Sequence, residues 1–297
     1  MAIYIWWNEV NNIYVGTSPV DEVYVGTTKV RPSSTPPVSD DYLCFTSLYG
    51  DNTLTLNADR DPYPVNLEIS WDKTNWIDYT IWTTIHFANA NDKLYWRNKS
   101  TTPTAFSTGY YADYYYFSTG NTFAVSWDVD YLLCKTSTTN LLIDSGGSWD
   151  FIFHRLFKNC DITTPPRLPA TTLSRWCYEG MFIWCQNLAH APELPATELT
   201  TLCYSGMFQS SSVAELPAIY ATSFDYDSCQ SMFAWCSNIK LSETQTGEYQ
   251  TPYRLPMSWT WEWSGAYPFN NMFYGTWWTF TWTPDINTTY YTSNTVV

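Results

Sequence analysis

The side chains with the most chemistry to offer are eight cysteines: Cys44, Cys134, Cys160, Cys177, Cys185, Cys203, Cys229 and Cys236. A zinc site would want Cys-x-x-Cys pairs or a cysteine–histidine cluster of zinc spacing. Neither occurs, so no metal is expected. The three histidines, His86, His154 and His190, fall in different segments and read as surface or packed side chains rather than bases. Glycoside hydrolysis would need two carboxylates about 5 to 10 Å apart. Asp40, Asp41, Asp128 and Asp130 are candidates, but no motif singles out a pair, and they read as solvated surface. There is no Gly-x-Ser-x-Gly, no phosphate-cradling loop and no zinc-protease signature. Ser145-Gly146-Gly147-Ser148 is a turn, since no lysine follows it. The expectation is a protein that is not an enzyme and takes no cofactor. One binding feature stands out: Tyr110, Tyr111, Tyr114, Tyr115 and Tyr116, whose flat rings with polar tips could stack on sugars. The alternative is a strand shared between a sheet core and a neighbour.

Six of the cysteines belong to a larger pattern. Phe157, Phe182, Phe208 and Phe233 recur at intervals of 25, 26 and 25 residues, and Asn271-Met272-Phe273 reads as one more copy after an insertion. Met181, Met207 and Met232 precede the phenylalanines, while Cys177, Cys185, Cys203, Cys229 and Cys236 flank them. Leu-Pro-Ala follows at 168–170, 194–196 and 216–218. A fixed period in the mid-twenties is the mark of a solenoid, whose units cannot bury their apolar side alone and so stack on one another. Inside such a stack the cysteines read as a ladder of small buried thiols. Disulfides are the alternative, suited to an oxidising compartment.

The pattern Cys-Tyr-x-x-Met-Phe-x-x-Cys followed by Leu-Pro-Ala-Thr, best seen at 177–185 and 194–197, resembles the BspA-like leucine-rich-repeat surface proteins, which include chains of bacteriophage virions. The resemblance is specific over 140–243 and implies a curved solenoid used for attachment, with no catalytic residues to carry over.

Around this stretch the chain divides into five parts. Residues 1–32 hold a ten-residue repeat, Ile3–Val10, Ile13–Val20 and Val23–Val30, each copy reading as half a hairpin around Gly-Thr. So small a ribbon needs partners. Tyr24–Pro32 resembles the start of phage tail and fibre proteins, which implies docking on other virion proteins; an arm packed on its own chain is the alternative. Residues 33–40, rich in proline and serine, form a semi-rigid linker. Residues 41–130 alternate apolar and polar at Leu54–Asn57, Val65–Ser70, Thr80–Ile85 and Lys93–Arg97, an antiparallel sandwich that resembles an Ig-like module. Residues 131–243 form the leucine-rich-repeat solenoid, with Val129–Leu133 as its first strand and a turn of helix at each Cys-Tyr-x-x-Met-Phe. Residues 244–297 form a last repeat and a β cap, reached through a polar loop at 241–254. The fold class expected is mainly β with short helices.

The tryptophans are out of place. Seventeen Trp stand against twelve Gly. Trp6 fills the slot of Gly16 and Gly26 in the ten-residue repeat. Trp184 and Trp235 precede cysteine where the resembled family has glycine, and Trp82, Trp127, Trp176, Trp259, Trp261, Trp263, Trp277, Trp278 and Trp282 also sit at glycine-like places. Glycine tolerates positive φ and tryptophan does not. A UGA codon read as glycine in the natural host would explain this; real tryptophans forming sugar-binding or subunit-packing surfaces would also account for them. Trp76 and Trp96 sit in strand contexts and read as genuine.

A net charge of −14 and a pI of 4.4 argue against nucleic acid and anionic membranes as partners. No run approaches the roughly 18 apolar residues of a membrane span. Met1–Glu9 lacks the pattern of a signal peptide, so delivery by assembly into a virion is the expectation. The reading is a phage tail-fibre, receptor-binding or decoration protein that attaches to a glycan or protein on the host surface and forms a homotrimer or higher assembly. The alternatives are a virion component that binds only its neighbours and a secreted adhesin on a bacterial surface.

Overall fold

The computed structural model of the chain describes residues 42–60, 65–104, 106, 114–135, 138, 141, 150–214, 216–217, 219–239 and 268–276, with the backbone of short strands at 14–15, 18–19, 24–25, 28–29, 240–242, 251–252 and 277–279. It divides into two units, 1–40 and 41–297.

In the first unit, β1 (Tyr14–Val15) pairs antiparallel with β2 (Ser18–Pro19), and β3 (Tyr24–Val25) with β4 (Thr28–Lys29). The copies at Ile13–Val20 and Val23–Val30 therefore each hold a whole hairpin, not the expected half. A two-residue separation between strands is what a tight hairpin connection needs. The copy at Ile3–Val10 and the linker lie outside the described residues.

The second unit is mainly β, with a single short 3-10 helix among the described residues. Its strands are β5 (Leu43–Ser47), β6 (Asn52–Ala58), β7 (Leu67–Ser70), β8 (Ile77–Asp78), β9 (Ile85–Phe87), β10 (Lys93–Asn98), β11 (Tyr115–Thr119) and β12 (Phe123–Ser126), followed after the helix by β13 (Ile162–Thr164). One sheet runs β13-β12-β5-β10-β7-β8 and the other β11-β6-β9; neither closes into a barrel. Period-two sequences drive the inner strands. Asn52, Leu54 and Leu56 of β6 point inward while Thr53 and Thr55 are half-exposed, and β10 buries Leu94, Trp96 and Asn98 in the same way. The sheets meet through aromatic rings: Phe45 and Trp96 of the larger sheet lie 4.6 and 5.2 Å from Phe117 of the smaller.

Two expected strands are corrected here. Of Thr80–Ile85, only Ile85 is extended, as the start of β9. The rest is a turn, closed by the Thr83 N–H on the Thr80 carbonyl and anchored by the buried Tyr79, whose hydroxyl donates to the Thr83 carbonyl at 2.8 Å. Val129–Leu132 forms the 3-10 helix η1 rather than a strand. Its four residues are all buried, so the alternation that would favour a pleat is lacking.

Beyond η1 the described residues make five similar passes, at 150–160, 175–185, 201–211, 226–236 and 268–276. None is a helix. N–H groups alternate between two targets. Those of His154, Leu156, Lys158 and Cys160 bond three residues back, while those of Phe153, Arg155, Phe157 and Asn159 reach the next pass, at Cys177, Glu179, Met181 and Ile183. The later passes repeat this, ending with Phe233 and Trp235 bonded to Met272 and Tyr274. A left-handed residue at every fourth position makes the alternation work: 151, 155 and 159, then 176, 180 and 184, then 202, 206 and 210, then 227, 231 and 235. The anticipated turn of helix at Cys-Tyr-x-x-Met-Phe is thus a chain of tight turns.

Counting from these bonds also resets one motif. Leu194 pairs with Ile219, and β14 (Glu198–Leu199) runs parallel to β15 (Ser223–Phe224). The structural counterpart of Leu194-Pro195-Ala196 is Ile219-Tyr220-Ala221, not the Leu-Pro-Ala at 216–218; Ile219 and Ala221 are buried. Past 239, β16 (Lys240–Ser242) lies parallel to both β17 (Thr251–Pro252) and β18 (Trp277–Thr279), so the expected loop at 241–254 carries strand pairing at both ends.

Candidate interaction surface

The interior of the stack consists of ladders. Phe157, Phe182, Phe208, Phe233 and Phe273 form one column, with ring centroids 5.5, 5.5, 5.5 and 5.4 Å apart and interplanar angles of 12, 4, 7 and 15°. Phe117 of β11 extends it by 5.5 Å at the first pass. A second column holds Phe153, Tyr178 and Tyr204, spaced 5.9 and 6.1 Å. Cys229 replaces the ring in the fourth pass, one position later in its pass than Cys177 and Cys203. Leu156, Met181, Met207, Met232 and Met272 are buried behind the rings.

All eight cysteines are buried thiols and none forms a disulfide. Cys160, Cys185 and Cys236 donate S–H to the Phe117, Phe157 and Phe208 carbonyls at 2.9, 3.0 and 2.9 Å. In the third pass Ser211 takes this position. Its hydroxyl lies 3.6 Å from the Cys236 sulfur. Burial pushes the Cys185 and Cys203 thiols up to about 12, which removes them as nucleophiles at neutral pH.

Two titratable groups sit in the first passes. Burial, reinforced by the charges of Arg155 and Lys158, holds His154 down to about 3. Burial raises Glu179 to about 7, against the opposing pull of Arg155. The two approach to 3.9 Å. That distance qualifies as an ion pair, yet desolvation favours the neutral form of each, so the contact is not one between full charges in mildly acidic solution. Asp130 in η1 is fully buried, and burial, with Asp128 beside it, lifts its carboxyl well above the usual range. Of the four carboxylates expected at the surface, Asp128 and Asp130 are both buried, and Asp40 and Asp41 lie outside the described residues. Asp128 bonds the Arg167 guanidinium at 2.7 Å.

Among the described residues, no group of three His, Cys, Asp or Glu is placed to hold a metal ion, and no helix is long and apolar enough to cross a membrane. His86 and His190 are exposed and stand on separate segments.

Among the described residues, the tyrosine run does not form an open platform. Tyr114 and Tyr115 are buried, and Tyr115 pairs with Ala58 inside the smaller sheet. Tyr116 is half-buried, while Tyr110 and Tyr111 lie outside the described residues. Strand alternation in β11 turns Tyr115 and Phe117 toward the core.

What the stack presents outward is a set of polar ladders. Arg175 reaches back to Asp150 at 2.9 Å, Thr201 donates to Asp225 at 2.7 Å, and Asn238 donates to the Ser212 carbonyl at 3.0 Å. Gln186 bonds the Ser210 carbonyl, and Asn187 bonds Asp161. At one corner, Trp184, Trp235 and Tyr274 are exposed, with the Lys158 ammonium 5.5 Å from the Trp184 ring. Sequence reasoning had no means of finding these ladders, because their members differ in type from pass to pass and share only a position.

No protein-family model matches the chain, and neither the curated proteins nor the solved structures contain a match to it.

Proposed function

We propose that the chain is a bacteriophage virion protein of the tail-fibre, receptor-binding or decoration kind, which attaches the particle to the host surface. The arm at 1–32 would dock on other virion proteins, an Ig-like sandwich would act as spacer, and the passes from 150 onward would form a BspA-like leucine-rich-repeat solenoid that displays the binding face. The proposed locations are the virion or, for an adhesin, the bacterial surface. The observation that carries the reading is the unbroken phenylalanine column from Phe157 to Phe273. Units of this kind cannot close their own apolar side, and their use is to build length and repeated surface. The interior ladders leave the outward positions at 150, 175, 201 and 226 free to vary while their backbones stay in register. Many weak contacts, multiplied by copy number, suit such a face to adhesion.

Two measurements test this. Particles labelled at residue 1 and imaged by electron microscopy should carry the label at the particle surface; its absence from particles removes the virion assignment. Glycan-array binding by the intact protein should select a surface polysaccharide of the host. Silence on the array, together with particles that fail to assemble without the protein, would favour a component that binds only its neighbours.

A further inference from the structure

Among the described residues, five tryptophans have a left-handed backbone: Trp82, Trp127, Trp176, Trp184 and Trp235, with φ of 67, 67, 54, 62 and 62°. An aromatic residue at positive φ is an outlier, because Cβ crowds the backbone carbonyl there, whereas glycine takes the conformation freely. Three of the five stand in the repeating left-handed columns of the stack, Trp176 in line with Phe151, Leu202 and Asp227, which are left-handed too. The middle column holds glycine at 180 and 206, and the column of Trp184 and Trp235 ends in Gly275; all three glycines have positive φ. The last of these contacts is crowded. A Cβ placed on Gly275 would meet the Trp235 ring at 2.4 Å, so the indole lies against the neighbouring backbone. Burial does not compensate, since Trp82, Trp184 and Trp235 are 53, 46 and 52% exposed.

Two other tryptophans serve as internal controls. Trp96 is fully buried and packs 4.7 Å from Tyr79 and 5.2 Å from Phe117. Trp76 donates to the Lys73 carbonyl at 3.0 Å and carries the Arg97 guanidinium 3.8 Å above its ring. Neither has a positive φ. Trp277 and Trp278 lie in the extended strand β18, a backbone that does not ask for glycine. Among the described residues, conformation thus narrows the glycine-like positions to five; Trp6, Trp259, Trp261, Trp263 and Trp282 lie outside them.

We infer that residues 82, 127, 176, 184 and 235 are glycine in the protein as its own organism makes it, their codons being UGA read as glycine, while Trp76 and Trp96 are tryptophan. The exposed indoles at the corner of the stack are then absent from the working molecule, and that corner presents bare backbone between Lys158 and Tyr274.

Trypsin separates the positions cleanly. Protein isolated from its natural host should give peptides 74–93, 94–97, 100–135 and 176–240 with mass deficits of one, zero, one and three tryptophan-to-glycine replacements relative to the written sequence. Peptide 74–93 contains both Trp76 and Trp82, so its single deficit must map to position 82 by fragmentation. Full tryptophan mass at any of the five overturns the assignment at that position, and at all five it overturns the codon reading. Two recombinant chains give an independent check. The chain with W82G, W127G, W176G, W184G and W235G should melt at a higher temperature than the chain as written, and a lower midpoint would overturn the conformational argument.

Discussion

Glu179 and His154 carry opposite pH dependences within 3.9 Å of each other. The Glu179 carboxyl is raised from 4.5 to about 7, so it favours the folded state below about 4.5 and loses that contribution as the pH rises through 7. His154 is lowered from 6.5 to about 3, so its contribution is full above 6.5 and is lost as the pH falls toward 3. Between 4.5 and 6.5 the two slopes cancel. Glu179→Gln removes the limb that falls with rising pH. Relative to the unsubstituted protein, this variant should gain on the order of 3 kcal/mol between pH 4.5 and pH 8, from two to three pKa units at about 1.4 kcal/mol each. Urea melts at the two pH values measure it. A constant difference between the two proteins would show that Glu179 is not desolvated. Nothing in the sequence announced this pair, because the residues are twenty-five apart and unlike in type. The phenylalanine and methionine rungs were legible for the opposite reason: one residue type repeats at one position. The third Leu-Pro-Ala misled because its composition is right while its count is not. Twenty-five residues on from Leu194 stands Ile219, and it is backbone pairing, not motif identity, that sets the position.

Among the elements, β11 has two roles. It pairs with β6 inside the smaller sheet, and its Phe117 supplies both the first ring of the phenylalanine column and the carbonyl that accepts the Cys160 thiol. Sequence alone read this segment either as a sugar-stacking aromatic run or as a strand shared between a sheet core and a neighbour, and nothing in it marked the strand as the cover of a stack, since such a strand has the same alternation as any other. Phe117→Ala should therefore behave like an interior rung. Both Phe117→Ala and Phe182→Ala should cost about 3–5 kcal/mol in denaturant unfolding, the range for deleting a buried aromatic ring. A loss under about 1 kcal/mol at Phe117 would mean that the first pass holds itself closed. The thiol ladders give a second measurement at this scale. With all eight cysteines buried, a thiol reagent should label none in the folded protein and eight once it is unfolded in denaturant. Rapid labelling of Cys160, Cys185 or Cys236 in the folded state would show that the passes open locally. The turn at Thr80–Thr84 and the helix η1 escaped sequence reading because each is fixed by a distant partner. Tyr79 reaches into β6, and the Val129 N–H bonds the Arg167 carbonyl.

At the scale of the whole molecule, residues 41–297 share a continuous core. Buried residues run from Leu43 in the larger sheet through the passes to Phe273. The parallel pairing of β12 with β13 carries the sheet into the segment just after the first pass. Unfolding of this unit should be a single transition, with tryptophan fluorescence and far-UV circular dichroism giving the same midpoint. Two midpoints would separate the sheets from the stack. The hairpins β1–β2 and β3–β4 are too small to hold together alone. If they serve in assembly, deleting residues 1–32 should turn an oligomer into a monomer in sedimentation, with the melting of the remainder unchanged; an oligomer that survives the deletion would place self-association elsewhere.

The way the passes are bonded bears on how such a chain changes over generations. Each pass offers its predecessor the pattern of carbonyls that it receives from its successor, and the phenylalanine rings meet at one spacing throughout. Doubling the gene segment for a single unit, such as 176–201, would therefore lengthen the molecule by a rung and leave both terminal seams matched. Reach could thus be altered by copying alone, with no new fold to invent.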